Sequence, residues 1–373
     1  MKPTLPTHIQ NLPAYTPIEP FEILSQRVGR KPEDIIKLDA NENPYGISPR
    51  VRTALAEMEY AHIYPDPESR ALRAALADFT GVPAENLLAG SGADELIDLI
   101  TRLLLEPDDR VLNCPPTFGM YPFDTELNAG RIVTVSRRSD FSLDMDGIRA
   151  AVLEHQPKLI FLTSPNNPDG SLIAQRELEE ILSLPLMVVL DEAYIEFADL
   201  NNTLGKSLSN ITRAAQLDNL IVLRTFSKWA GLAGLRVGYG AFPTWLMPTL
   251  WKAKQPYNVT VASSEAGIAS LADAEYLSKV VARLRDERER LMAGLKKIPY
   301  LSPYPTHSNF ILCRVSGHDA AQLTNDLAMK HGIIIRYFSK PGLKDCIRIS
   351  VGKPEQTDAL LKALSDLVIE CGF

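Results

Sequence analysis

The sequence predicts an α/β protein: a large domain on a mainly parallel seven-stranded sheet sandwiched by helices, then a smaller α+β domain. Three observations predict it. Between residues 41 and 257, short β-rich runs alternate with longer helical patterns. Several of these runs are apolar throughout, as strands covered on both faces by helices are. Beyond Pro256 the alternation gives way to one long helical stretch and then a mixture of strands and helices.

The size fits this division, since 373 residues at about 150 per domain give two to three domains. Lys plus Arg number 39 against 46 Asp plus Glu, a net charge of −7, which excludes a generally basic nucleic-acid binder. Hydrophobic residues at 45% and charged residues at 23% exclude global disorder. The apolar run Leu186–Leu190 is far short of the roughly 20 residues that span a bilayer, so no membrane is expected. The four cysteines (Cys114, Cys313, Cys346, Cys371) show no C-x-x-C pair, and the six histidines are isolated. A reducing compartment and no metal site are therefore expected. With no apolar h-region and a first arginine only at Arg27, the N-terminus resembles neither a signal nor a transit peptide, so a cytoplasmic location is expected.

Taken in order, residues 1–40 are rich in proline (Pro3, Pro6, Pro13, Pro17, Pro20) and aperiodic, which predicts an extended arm packing with the small domain. The large domain, 41–257, offers strands at Asn86–Ala89, Arg110–Asn113, Ile132–Val135, Leu159–Leu162, Met187–Leu190, Leu220–Leu223 and Val237–Gly240. Helical patterns fall between them at Asp94–Leu105, Met145–Glu154 and Gln175–Ser183. The small domain, 258–373, begins with a helical stretch at Ser263–Lys297. Strand-like segments at Asn309–Val315, Ile333–Tyr337 and Cys346–Val351 follow, with helices at Ala320–His331 and the C-terminus. The charge run Arg283–Arg290 interleaves its signs, and Arg285/Glu289 and Asp286/Arg290 are spaced as pairs on a solvated helix face.

The chemistry concentrates at strand ends. Lys228, in Thr225-Phe-Ser-Lys-Trp229, follows the strand Leu220–Leu223, on the sheet edge where open α/β sheets bind ligands. A lysine there is either a surface cation or, partly buried beside other cations, an amine able to form a Schiff base. Asp191 closes the run Leu186–Leu190, where a buried carboxylate needs a partner such as a protonated heteroaromatic nitrogen; a helix cap or a metal-binding acid are the alternatives. Asn167 lies in the turn-rich Ser164-Pro-Asn-Asn-Pro-Asp-Gly170 at the same edge. Gly90-Ser-Gly-Ala-Asp-Glu95 links a strand to an amphipathic helix and points backbone N–H groups at an anion. Glu95 stands where a dinucleotide fingerprint requires its third glycine, so that fingerprint fails. Arg236 could add a fixed cation to a phosphate site.

Together, Asn167, Asp191, Tyr194, Ser227, Lys228 and Arg236, in this order, resemble the fold-type-I pyridoxal-phosphate aminotransferases. Leu38-Asp-Ala-Asn-Glu-Asn-Pro-Tyr-Gly46, Tyr64-Pro-Asp66, Pro115-Pro-Thr-Phe-Gly-Met-Tyr121, Ser308-Asn-Phe-Ile-Leu312 and Cys346-Ile-Arg-Ile-Ser-Val-Gly352 are similar to the histidinol-phosphate subgroup. The resemblance implies pyridoxal 5′-phosphate as cofactor, held by Lys228 as a Schiff base. Asp191 would pair with the ring nitrogen. Tyr194 and Asn167 would bond the phenolic oxygen, and Phe118 would stack on the ring. Gly92, Ala93, Asp94, Thr225, Ser227 and Arg236 would surround the phosphate. Tyr64 would reach the phosphate of a neighbouring subunit, which implies a homodimer with shared active sites. Tyr15, Asn41, Asn309, Arg336 and Arg348 would bind substrate, and two guanidinium forks suit a dianion.

The implied reaction is a ping-pong transamination of L-histidinol phosphate with 2-oxoglutarate to imidazole acetol phosphate and L-glutamate. An aromatic aminotransferase or a threonine-phosphate decarboxylase on the same scaffold is the alternative. A cofactor-binding regulator without chemistry is a further rival, but no extension the size of a DNA-binding domain precedes Asp39. Two positions depart from the family pattern: Asp169 stands where threonine is usual, and Trp229 where small residues are common. Neither replaces a contact group, so both are expected to be compatible with activity.

Overall fold

A computed structural model of the chain describes residues 3–13 and 19–370. Its strands are β1 (Ile36–Leu38), β2 (Leu87–Gly90), β3 (Arg110–Asn113), β4 (Arg131–Thr134), β5 (Leu159–Thr163) and β6 (Met187–Asp191). They continue as β7 (Leu220–Thr225), β8 (Gly238–Ala241), β9 (Leu301–Pro303), β10 (Phe310–Val315), β11 (Ile333–Tyr337) and β12 (Cys346–Ser350). A seven-stranded sheet has the order β2-β8-β7-β6-β5-β3-β4, parallel throughout β3 to β7, while β8 runs antiparallel to both neighbours. The α/β class and the mainly parallel sheet agree with the sequence reading.

The apolar runs form strands because both faces are covered. Ile160, Val188 and Val222 join one hydrophobic cluster, and their chain neighbours Phe161, Val189 and Ile221 join a second. The edge strand β4 is the partly exposed exception. Strands β5, β6 and β7 run one or two residues beyond the predicted ends, through Thr163, Asp191 and Thr225. Their backbones stay in the ladder, with Thr163 opposite Asp191, although their side chains turn polar.

The second sheet has the order β1-β11-β12-β10-β9. Its edge strand comes from the predicted arm: Ile36, Lys37 and Leu38 pair in parallel with Ile333, Ile334 and Ile335. The arm is also less extended than expected, because Phe21–Val28 is a helix. Pro20 precedes it, Gly29 closes it at φ 68°, and Leu24 and Val28, one turn apart, bury against Ala328 and Ile334.

The long helical stretch is two helices, Val261–Ala272 and Ala274–Leu295, meeting at Asp273. The first packs on Pro49–Ala56 and Arg70–Thr80. The charge run is only in part a solvated face: Arg283, Asp286, Glu289 and Arg290 are exposed, whereas Glu287 and Arg288 are buried. Arg288 is buried and donates to the carbonyls of Phe197 and Ser308, and Arg285 donates to Asp199 O. Arg290 pairs with Glu287 and Asp358 instead of Asp286. The run anchors its helix to the segment after β6, which counting charges along one helix could not reveal. Among the described residues no helix is long and apolar enough to cross a membrane.

Candidate functional site

The C-terminal ends of β5, β6 and β7, the start of the helix Gly92–Leu104 and the Lys228 loop enclose a cavity of about 140 Å³. It is lined by Ala93, Asp94, Phe118, Asn167, Asp191, Tyr194, Thr225, Ser227, Lys228 and Arg236, all singled out in the sequence. Thr163, Ala193 and Ala233 also line it and were not. Phe118, Asn167, Tyr194 and Lys228 are shared with a second cavity of about 780 Å³, lined also by Asn41, Arg336 and Arg348.

Each side chain is fixed by its element. Asp191 ends β6 with only 4% of its surface exposed. It accepts from Tyr121 Oη at 2.7 Å and from Ala193 N at 3.0 Å. Burial raises its carboxyl to about 6, against these two hydrogen bonds, which favour the charged form. Among the described residues Asp191 forms no ion pair, so the site holds a buried carboxylate without a cation. Tyr121 ends the Pro115–Tyr121 motif, and as an aromatic in the helix Met120–Leu127 it carries no local signal of this contact.

Lys228 Nζ donates to Ala40 O at 3.0 Å. Burial foremost, and the Arg348 guanidinium next, pull its amine down to about 8. Thr225 Oγ1 donates to Ser227 Oγ at 2.9 Å and accepts from Ser227 N at 3.1 Å, which sets the loop before the lysine. Trp229 is fully buried, stacks on Phe79, and donates from Nε1 to Thr225 O at 2.9 Å. It is a packing residue behind the site.

At the helix end, Gly92 has φ +80°, and a Cβ there would stand 2.5 Å from Arg236 Nη2. Glycine is required by conformation and by the close approach of that guanidinium. Arg236 Nη2 bonds Asp94 Oδ2 at 2.7 Å. Glu95 Oε2 accepts from Ser91 N at 2.5 Å, giving the residue that breaks the dinucleotide pattern a capping role. The helix dipole and first-turn N–H groups face the cavity, a setting for a phosphate.

Above the cavity, Asn41 at φ 57° donates from Nδ2 to Tyr194 Oη at 3.1 Å. Asn309 lines neither cavity; its Nδ2 donates to Asn41 O at 2.9 Å. Arg348 Nη1 donates to Asn167 Oδ1 at 2.5 Å and Nη2 to Asp39 O at 2.8 Å. Asp169 is buried in its own loop, accepting from Asn166 Nδ2 and Ser171 N, and lines neither cavity. Tyr64 lies outside both cavities, 78% exposed and stacked on Tyr257. Tyr15 lies outside the described residues.

The family description "Aminotransferase class I and II" matches residues 33–364. Over 358 residues the chain is 56% identical to the chloroplastic histidinol-phosphate aminotransferase of Nicotiana plumbaginifolia, covering 96% of this chain and 85% of that protein. It is 50% identical to the histidinol-phosphate aminotransferase of Roseiflexus castenholzii, covering 96% of each. The crystal structure of histidinol-phosphate aminotransferase from Sinorhizobium meliloti with pyridoxal-5′-phosphate superposes with a TM-score of 0.89 at 32% identity, over 99% of this chain and 98% of that one.

Proposed function

Because the chain belongs to the class I and II aminotransferase family, we propose that it transfers the amino group of L-histidinol phosphate to 2-oxoglutarate. The products are imidazole acetol phosphate and L-glutamate, and the reaction belongs to histidine biosynthesis. The relatives at 50% and 56% identity carry that activity in their names, which supports the choice. One structural observation carries the substrate class. Arg336 and Arg348 are Cα partners in the β11–β12 ladder. Like charges directly opposite each other on neighbouring strands are destabilising. The Phe338 ring lies 5.9 Å from the Arg336 guanidinium carbon and 5.5 Å from that of Arg348, and Arg336 forms no ion pair among the described residues. A dianion between the two forks relieves the repulsion, which a neutral aromatic side chain cannot do.

The residues fit pyridoxal phosphate, the cofactor. The buried, unpaired Asp191 calls for a cationic partner, and the Gly92–Arg236 contact leaves a cradle that any Cβ would fill. Ala93, Asp94, Thr225, Ser227 and Arg236 would hold its phosphate, Lys228 its reactive carbon, Asp191 its ring nitrogen, and Phe118 a ring face. When bound it supplies an electron sink for the charge that develops at the substrate Cα.

The chain's own groups do the rest. Lys228 Nζ, its amine lowered to about 8, would take the proton from Cα of the amino donor and, in the return half-reaction, deliver one to the former carbonyl carbon of the 2-oxo acid. Tyr194, held by Asn41, and Asn167, held by Arg348, present hydrogen-bonding groups at fixed positions. Arg348 and Arg336 fix the substrate's anionic ends.

The exposed Tyr64–Tyr257 stack, with Tyr60 and Ile63 also exposed, supports a homodimer in which Tyr64 completes the partner's site. The free thiols of Cys114, Cys313 and Cys346 are in keeping with a reducing setting.

The test is a side-by-side assay of amino donors with 2-oxoglutarate, reading glutamate formed. Histidinol phosphate should be the best donor, and Arg336→Ala should lower its kcat/KM roughly a hundredfold while phenylalanine loses far less. Equal losses on both donors would refute the assignment.

A further inference from the structure

Besides Lys228, six cationic side chains line the larger cavity: Arg137, Arg138, Arg314, Arg336, Lys340 and Arg348. No carboxylate of a described residue lines it. The whole chain carries −7, so this is a local reversal of sign. Four of the six have local partners, Arg348 among them through Asn167 Oδ1 and Asp39 O. Arg138 pairs with Asp144 at 3.3 Å, Arg314 with Asp345 at 2.8 Å, and buried Arg137 donates to the carbonyls of Cys114 and Phe141. Arg336 and Arg348 are the like-charged pair of the β11–β12 ladder. Lys340 remains, and it forms no hydrogen bond or ion pair with a described residue.

Lys340 is solvent-exposed, yet its side chain lies along the cavity wall. Its Nζ stands 3.1 Å from where a Cβ on Gly119 would lie. The side chain therefore crosses from the loop after β11 to the residue that caps the helix Met120–Leu127, beside Phe118, which lines both cavities. Lys340 lines the same cavity as Arg336 and Arg348, whose like charges face each other across the β11–β12 ladder. An anion between these groups removes the repulsion and gives the ammonium hydrogen-bond acceptors.

We propose that Lys340 is a specificity-determining contact for the substrate's distal anion: the phosphate of the amino donor and, in the second half-reaction, the distal carboxylate of the 2-oxo acid. Exposed at the rim, it is met by an incoming dianion before the buried Arg137 and Arg348, and rim charges act on association and on its salt dependence. This inference rests on the functional reading above, which supplies the dianionic substrate.

The experiment compares Lys340→Gln and Lys340→Arg with wild type as holoenzymes. It measures kinetics with histidinol phosphate over a range of ionic strength, and binding of inorganic phosphate by calorimetry. In Lys340→Gln, the KM for histidinol phosphate and the Kd for phosphate should rise about five- to tenfold. The salt dependence of kcat/KM should become shallower, and the KM for phenylalanine should not move. Lys340→Arg should retain wild-type values. Wild-type phosphate affinity and wild-type salt dependence in Lys340→Gln overturn the proposal. If wild type does not turn over histidinol phosphate, only the functional reading falls. Phosphate binding then decides alone: weaker binding in Lys340→Gln upholds the anion contact, and unchanged binding overturns it.

Discussion

Tyr121 Oη donates a 2.7 Å hydrogen bond to Asp191 Oδ2 and lies 2.7 Å from Thr163 Oγ1, so one buried phenol ties together the ends of β5 and β6. The bond favours the carboxylate over the acid and opposes the desolvation that raises Asp191. Tyr121→Phe keeps the stack on Phe161, whose ring centroid is 4.7 Å away, and removes only the hydroxyl. The Asp191 carboxyl should then rise above about 6, and cofactor affinity at pH 7 should fall roughly tenfold, as loss of one hydrogen bond to a charged group predicts. Equilibrium dialysis of pyridoxal phosphate checks this, and an unchanged Kd would count against any role for Tyr121 in setting the charge of Asp191.

Asp191 also makes the apoprotein pH-sensitive. Its folded carboxyl, about 6, lies above the ordinary value of 3.8 because burial penalises the charge. The contribution of the protonated group to stability is complete below the unfolded value and is lost as pH rises through about 6. Asp191→Asn, which cannot ionise, should therefore give an apoprotein more stable than wild type at pH 7.5, by on the order of 2 kcal/mol, and little different at pH 4. The same variant should be inactive. Thermal melts of both apoproteins at the two pH values test the claim, and a stability difference independent of pH would sink it.

How far the site could be read from the chain follows from what signals its residues leave. Lys228, Asp191 and Asn167 stand where apolar runs end, and those runs are legible because their strands are buried on both faces. The true strand ends at Thr163, Asp191 and Thr225 were not legible, because the ladder continues after hydrophobicity stops. The β1 strand was hidden by the prolines around it, since its partner β11 lies about three hundred residues away and no local pattern announces such a pairing. The resemblance implies Asn309 as a pocket residue, but the chain puts it one layer out, holding Asn41. Tyr121 and Lys340 leave no periodic trace, because their roles come from a fold that brings distant segments together.

Trp229, one of the two departures from the family pattern, is fully buried between Phe79 and Phe226 and bonded to Thr225 O. Trp229→Ala should destabilise the protein by about 3–5 kcal/mol through the cavity it leaves. Trp229→Phe should cost about 1 kcal/mol for the lost N–H bond. Because neither variant removes a group lining the cavities, kcat of the folded Trp229→Phe enzyme should stay within about threefold of wild type. Denaturant melts and steady-state assays on the same preparations separate the two effects, and an inactive but stable Trp229→Phe enzyme would assign the indole a direct part in the reaction.

Lys228 should show the opposite pH trend to Asp191. Its amine is pulled from 10.5 to about 8, first by burial and then by Arg348. In the apoprotein a lowered lysine costs stability wherever it is protonated, so the penalty is full below pH 8 and fades as pH rises toward the unfolded value. Lys228→Met replaces the buried ammonium with an apolar chain of similar length. Its apoprotein should exceed wild type in stability by roughly 1–2 kcal/mol at pH 7, and the excess should shrink toward pH 10. With pyridoxal phosphate added, Lys228→Met should lack the visible band that wild type shows when the cofactor is bound to its lysine. Calorimetric melts at pH 7 and pH 10 decide the electrostatic claim independently of activity. If Lys228→Met were less stable than wild type at both values, the hydrogen bond to Ala40 O would outweigh the cost of burying the charge. The amine would then have to be held in the site by that contact rather than against the desolvation that tunes it.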